Sequence, residues 1–216
     1  MKISEMLLRL FFPPRCIVCG KLLDYFSAYP YCDECYAQMS VSRVLQKSAS
    51  PPLYVNSMYV MYTYSNNCVK HSVYHAKKSF SAQFKEFYKD SCETLFDKYK
   101  FISEIDLITF VTRRSSEKRR EGIDQAEEMA KIISKMTGIP YKKTLVRIRK
   151  SKKQRLLSHT ERAENVKGVF KTCFDVKGKH VLLLDDVTTT GATLSECANA
   201  LKKADANKVT VLVFSS

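Results

Sequence analysis

The stretch Val181-Leu-Leu-Leu-Asp185-Asp186-Val-Thr-Thr-Thr190-Gly191-Ala-Thr193 constrains the fold of this chain more than any other. Its opening apolar run has no polar alternation, so it reads as a strand buried on both faces, the pattern of a parallel sheet covered by helices. The run ends in adjacent carboxylates, passes through a Thr/Gly loop and enters a helix-compatible stretch, Leu194 to Ala204. Such a strand–loop–helix unit carries its polar residues at the carboxyl end of the strand, where open α/β sheets bind ligands. The amides of Thr189, Thr190, Gly191, Ala192 and Thr193 open a helix and are placed to cradle a phosphate. Gly191 permits close backbone approach. Carboxylates would repel that phosphate, so Asp185 and Asp186 are expected to face solvent at the strand end and meet a different group of the same ligand, ribose hydroxyls. A strand closing in Asp-Asp before a helix also occurs in Mg²⁺-binding α/β proteins, and on these residues alone that reading stays open.

Strand and helix patterns alternate through the chain. Strands are predicted at Met58–Tyr64, Asp106–Thr112, Thr144–Ile148, Lys179–Asp185 and Lys208–Phe214. Helices are predicted at Val69–Lys78, at Ala82–Tyr99 and at Gly122–Met136, the last stopped by Gly138 and Pro140. Ser158-His-Thr-Glu161 is a capping box opening a further short helix. Alternation of this kind predicts an α/β fold, a mostly parallel sheet with helices on both faces. Phe84, Phe87, Tyr88, Leu95 and Phe96 recur at helical spacing, which predicts core packing rather than a base-stacking surface.

Ahead of this pattern, Cys16-x-x-Cys19 and Cys32-x-x-Cys35 form two knuckles of the kind that together make a tetrahedral zinc site. With four thiolates the metal keeps no open position for substrate, so the expected role is structural. Disulfides or a redox Cys-x-x-Cys are the competing readings; nothing in the chain points to export, and one redox pair would not explain two copies. Cys68, Cys92, Cys173 and Cys197 have no partner spacing and are expected as small core residues. The expected division is a zinc-binding module with its linker over 1–52, Ser40 to Pro52 being the linker, and a main domain over 53–216.

The net charge of +14 in 216 residues points to polyanionic partners. Lys142, Lys143, Arg147, Arg149, Lys150, Lys152, Lys153 and Arg155 crowd a stretch with no acid, and Arg113, Arg114, Lys118, Arg119 and Arg120 form a second cluster. The first run is the candidate nucleic-acid surface. Ile3, Leu7, Leu10 and Phe11 pattern the first eleven residues as an amphipathic helix packed on the protein, not a leader or an anchor. No stretch has the roughly 18 to 20 apolar residues needed to span a bilayer. The chain is therefore expected to be cytoplasmic.

Val181–Thr193 resembles the phosphoribosyl pyrophosphate (PRPP) signature of type I phosphoribosyltransferases. Taken with the cysteine module, the whole chain resembles ComF-type proteins, the late competence ComFC group and the related GntX group. Further supporting stretches are Phe12-Pro-Pro-Arg-Cys16, Gly122-Ile-Asp-Gln125-Ala126-Glu127, and Gln154-Arg-Leu-Leu157 with Arg162, Asn165 and Phe170. The chain departs from the family where Pro-Val-Pro becomes Phe110-Val111-Thr112, where Arg-Gly-Phe-Asn-Gln becomes Glu121-Gly-Ile-Asp-Gln125, and where Lys-Tyr/Phe-Arg-Gly becomes Lys77-Lys-Ser-Phe80.

The resemblance implies a zinc module ahead of a phosphoribosyltransferase-like domain. It implies that Asp185 and Asp186 bind the ribose 2′ and 3′ hydroxyls, that the loop after them holds the 5′-phosphate, and that PRPP arrives with Mg²⁺. It makes Arg113, Arg114 and Lys77 candidate cations on the pyrophosphate side. It further implies a role in natural transformation, handling single-stranded DNA after uptake alongside a DNA-translocase partner. A genuine phosphoribosyl transfer to a nitrogen nucleophile and a PRPP-responsive regulator without catalysis are the alternatives.

Overall fold

A computed structural model describes residues 12–78, 80–113, 123–149 and 166–216. The expected amphipathic helix before Phe12 and the capping box at Ser158 lie outside the described residues. So do Arg114, Lys118, Arg119, Arg120, Gly122, Lys150, Lys152, Lys153, Gln154, Arg155, Arg162 and Asn165.

Among the described residues five strands form the main sheet in the order β1-β2-β7-β6-β3, with β1 Arg43–Lys47, β2 Ser57–Tyr62, β3 Leu107–Phe110, β6 His180–Val187 and β7 Lys208–Ser215. β2, β7, β6 and β3 are mutually parallel, and only β1 runs antiparallel, at the edge. The expected mostly parallel sheet is therefore present. A separate antiparallel pair, β4 Leu145–Arg147 and β5 Phe170–Thr172, lies apart from it.

The central strand shows why the apolar run fixes this architecture. Leu182 and Leu184 enter one core, and Val181 and Leu183 enter the other; all four are fully buried. On β7, Leu212 and Phe214 face the first core and Val209, Val211 and Val213 the second. Period-two alternation of apolar residues on both faces demands a covering layer on each side.

One layer holds α2 Asn67–Lys78, α3 Ala82–Tyr99 and α4 Gln125–Thr137; the other holds α5 Ala192–Lys202 with the β4–β5 pair. The Ser81 side chain caps α3 by accepting the Phe84 amide, at 3.2 Å. Its aromatic stripe is core: Phe84, Phe87, Tyr88, Leu95 and Phe96 are all buried, each burial contributing about 1.5–3 kcal/mol. α4 stops at Gly138, whose φ of 75° is the left-handed C-cap that glycine tolerates.

The cysteine module, with its helix α1 Asp33–Val41, does not stand alone. Cys16, Tyr31, Cys32, Cys35 and Met39 share one apolar cluster with Tyr62, Phe84 and Phe87. The Tyr31 hydroxyl donates to Ser72 Oγ on α2 at 2.9 Å, and its ring meets Phe87 at 4.9 Å between centroids.

Several expectations are corrected. Ser40 to Pro52 is not only a linker: it carries β1, a short strand with a bulge between Arg43 and Gln46 that gains its place by pairing with β2. The Thr144–Ile148 strand forms, but pairs with β5 rather than joining the main sheet. Cys173 is exposed, unlike the buried Cys68, Cys92 and Cys197. Among the described residues no helix is long and apolar enough to cross a membrane.

Candidate ligand site and cysteine centre

Asp185 and Asp186 close β6 at the carboxyl edge of the sheet. The Asp186 amide donates to Asp185 Oδ1 at 2.9 Å, and the Val187 amide to Asp186 Oδ1 at 2.9 Å, so each carboxylate is fixed by the next peptide. By strand alternation Asp186 shares the face of Leu182 and Leu184, towards α2 and α4, and there it is clamped. Arg113, three residues past the end of β3, donates to Asp186 Oδ2 at 2.9 Å, and Lys77 near the end of α2 lies 3.6 Å from the same oxygen. Both partners of the Arg113 pair are largely withdrawn from water, with side chains 13% and 15% exposed.

Gln125 completes the clamp. Its Oε1 accepts from Arg113 at 2.8 Å and its Nε2 donates to the Val73 carbonyl at 2.9 Å, joining the start of α4 to α2 beneath the site. Gln125 is buried, and its motif in the sequence assigns it no role. A buried glutamine at the first position of a helix was the available signal, since such an amide must find partners for both ends.

Asp185 differs. Burial first, then the neighbouring Asp186 charge and hydrogen bond, push its carboxyl well above the usual carboxylate range. Both acids are half-buried at the strand end, with Asp186 ion-paired. The structure does bring Asp185, Asp186, Arg113 and Lys77 together from three elements distant in sequence.

The loop that follows is held at both ends. The Thr188 amide donates to the Ser215 carbonyl at 3.0 Å, and the Ser195 amide to the Gly191 carbonyl at 2.8 Å. Gly191 sits at φ +70°, and a Cβ there would come within 2.7 Å of Pro52 Cγ. Glycine is required twice over, by backbone conformation and by the proline packed against it. From Gly191 the chain enters α5, whose first amides have no acceptors within the helix and carry its positive dipole end. Thr189, Thr190, Gly191, Ala192 and Thr193 line this turn, and the Ala192 amide makes a long contact of 3.4 Å with Thr190 Oγ1. Among the described residues the buried hydroxyls of Thr112 and Ser215 have no hydrogen-bond partner. They mark the carboxyl ends of the two strands that flank β6. The edge thus presents carboxylates for a polyol, amides for an anion, and unused hydroxyls beside them.

At the other centre the ligand atoms of Cys16, Cys19, Cys32 and Cys35 all lie within 4.8 Å of one another, with Cys19 Sγ 3.7 Å from Cys32 Sγ. A tetrahedral zinc with Zn–S bonds of 2.3 Å has S···S edges of about 3.8 Å, so the cage has the size the metal needs. The first knuckle is shaped by Cys16 N–H to the Lys21 carbonyl at 2.8 Å and Gly20 N–H to the Cys16 carbonyl at 2.9 Å. Cys32 caps α1 and Cys35 lies in its first turn. Burial would raise the Cys16 thiol, but the amides of Cys19, Cys32 and Val18 outweigh it and hold the thiol down to about 7. Burial and then the neighbouring thiols push Cys35 up. One thiolate forms readily and the last resists, an imbalance that a dication at the centre removes.

The basic run divides. Lys142, Lys143 and Arg149 are exposed, with Arg149 donating to the Lys167 carbonyl at 2.6 Å. Arg147 is half-buried: its Nε donates to the Thr112 carbonyl at 2.9 Å and its guanidinium lies 4.6 Å over the Phe170 ring. It does not share the solvated face of its neighbours.

Comparison with known proteins matches residues 119–215 to the phosphoribosyl transferase domain. The DNA utilization protein YhgH of Salmonella typhi is 32% identical over 107 residues, 49% of this chain and 47% of the relative. Competence protein F of Haemophilus influenzae is 32% identical over 96 residues, 43% of this chain and 42% of its own length. The chain thus spans under half of each of these curated relatives. A crystal structure of a purine phosphoribosyltransferase from Pyrococcus horikoshii Ot3 aligns with 60% of this chain and 84% of its own, at 21% identity and a TM-score of 0.39. Residues 119–215 thus match the phosphoribosyl transferase domain, and about half of this chain, which also holds a four-cysteine group ahead of a mostly parallel sheet, is similar to YhgH and Competence protein F.

Proposed function

We propose that the chain binds PRPP with Mg²⁺ at the carboxyl end of β6 and acts in DNA uptake and natural transformation, handling single-stranded DNA in the cytoplasm alongside a translocase. One observation carries the PRPP reading: adjacent carboxylates at the end of the central strand run straight into a glycine-opened helix. Asp185 and Asp186 orient the ribose, and the amides of Thr189 to Thr193 hold the 5′-phosphate. Arg113 and Lys77 stand on the pyrophosphate side, with Arg114 outside the described residues. Mg²⁺ supplies charge shielding for the pyrophosphate. Zinc in the four-cysteine cage is structural, giving a small segment the folding energy that its own apolar content lacks. The DNA role rests on the names of the YhgH and Competence protein F relatives and on the charge of +14.

Isothermal titration with PRPP and Mg²⁺ tests the site. Asp185→Asn with Asp186→Asn abolishes binding while the variant still unfolds cooperatively; retained binding in the folded double variant contradicts the assignment. DNA retention across a salt series tests the second half. Neutralising Lys142, Lys143, Arg149, Lys150, Lys152, Lys153 and Arg155 lowers affinity and flattens the salt slope, and an unchanged slope rejects that surface. The domain match over 119–215 favours a second reading, phosphoribosyl transfer itself. Release of pyrophosphate from PRPP with one of a panel of nucleobases supports that reading, and no turnover with any base removes it.

A further inference from the structure

We infer that Arg147 is a positioning residue of the phosphoribosyl site, acting through the backbone that carries Arg113, and not a member of the DNA-facing basic run. The inference rests on the PRPP reading above for its ligand but on geometry for its mechanism.

The ladder between β3 and β6 ends at the Val111 amide, which donates to the Leu184 carbonyl at 2.9 Å. Among the described residues no strand partner follows, and two residues later the Arg113 guanidinium meets Asp186 and Gln125. Arg147 holds the intervening carbonyl, that of Thr112, at 2.9 Å. Arg147 is itself held: it pairs with Phe170 across the β4–β5 ladder and lies over that ring, and Phe170 is only 5% exposed. The start of β4 is tied to β3 as well, by the Thr109 and Thr144 hydroxyls at 2.7 Å. Phe170, Arg147, Thr112, Arg113 and Asp186 thus form one continuous series of contacts from the small sheet to the acid.

A charged donor bound to that carbonyl, its apolar face against a buried ring, is costly to desolvate and gives geometric precision in return. The cation adds positive potential at the edge where a phosphorylated ligand arrives. A lysine at this position would keep the charge and lose both the planar stacking and the Nε bond.

The test uses Arg147→Met, which keeps apolar contact with Phe170, and Arg147→Lys, with Lys171→Gln, an exposed lysine of β5, as the comparison. PRPP–Mg²⁺ titration is expected to show about tenfold weaker binding for Arg147→Met, the loss typical of one charge-assisted hydrogen bond. Arg147→Lys recovers part of it, and Lys171→Gln binds as the parent does. Arg147→Met binding PRPP like the parent overturns the inference, whereas a parent chain that binds no PRPP overturns the functional reading. A double-mutant cycle in urea keeps the two separable without any ligand. Arg147→Met and Asp186→Asn are expected to be non-additive because they perturb the same Arg113 contact; strict additivity refutes action through Arg113.

Discussion

Gly191→Ala should destabilise this protein more than the same change at Gly138, and the difference isolates the seat of the loop between β6 and α5. Both glycines have positive φ, +70° and +75°. An alanine pays about 1–2 kcal/mol for that conformation, partly offset by the smaller entropy of its unfolded chain. At Gly138 nothing lies within 4 Å of the added Cβ, so the conformational cost is the whole effect. At Gly191 the methyl meets Pro52 Cγ at 2.7 Å and Pro52 Cβ at 3.2 Å, on a ring that cannot swing aside as a flexible side chain would. Overpacking of that kind adds about 1–3 kcal/mol. For a chain of this length each kcal/mol lowers Tm by about 2–4 °C. Gly138→Ala should therefore shift the thermal midpoint by only a few degrees, and Gly191→Ala by roughly twice as much or more. Scanning calorimetry of both variants, with Pro52→Ala added to Gly191→Ala, completes the measurement. Pro52→Ala should be partly restorative in that background and mildly destabilising alone. Equal losses at the two glycines, or no rescue by Pro52→Ala, would refute the claim that the proline braces the loop.

Asp186→Asn removes the negative charge shared by Arg113 and Lys77 while Arg113 keeps its bond to Gln125; a stability loss of about 2 kcal/mol is expected in urea denaturation, and a neutral result would mean that the clamp is not populated. Asp185 is raised above its unfolded value, so its contribution to stability is fully present below the ordinary carboxylate pKa and is lost as pH rises through the raised one. Asp185→Asn should remove that decline from the stability–pH profile, while ligand binding that needs the carboxylate should strengthen over the same rise. Chelation, or Cys16→Ser, should release metal and loosen the packing of Tyr31 on Phe87; a chain that holds no metal as purified and keeps its near-ultraviolet signal after chelation would sink the structural zinc.

The elements with long, strongly patterned segments were legible in the sequence. The apolar run before Asp185, the aromatic stripe of α3 and the closing strand all form within a residue or two of their expected limits. β1 and β5 were not legible, because short strands with mixed composition carry too little periodicity and exist only through pairing with β2 and β4. The motif after β6 marked the candidate site, but not its electrostatic state. That Asp186 meets Arg113 and Lys77, while Asp185 is sheltered, depends on where β3, α2 and α4 end in space. Arg147 shows the same limit. Spacing along the chain grouped it with its basic neighbours, and only the fold reveals a guanidinium turned inward over Phe170.

Helix α2 is built into both halves of the molecule. Ser72 receives the hydroxyl proton of Tyr31, which is packed beside the thiols, while the very next carbonyl anchors Gln125 and Lys77 reaches Asp186. A helix segment this short transmits displacement as a stiff rod would. Disturbing the four-cysteine group is thus expected to reach the acid pair through α2, making the packing around those thiols a condition for the charge arrangement at the sheet's far edge.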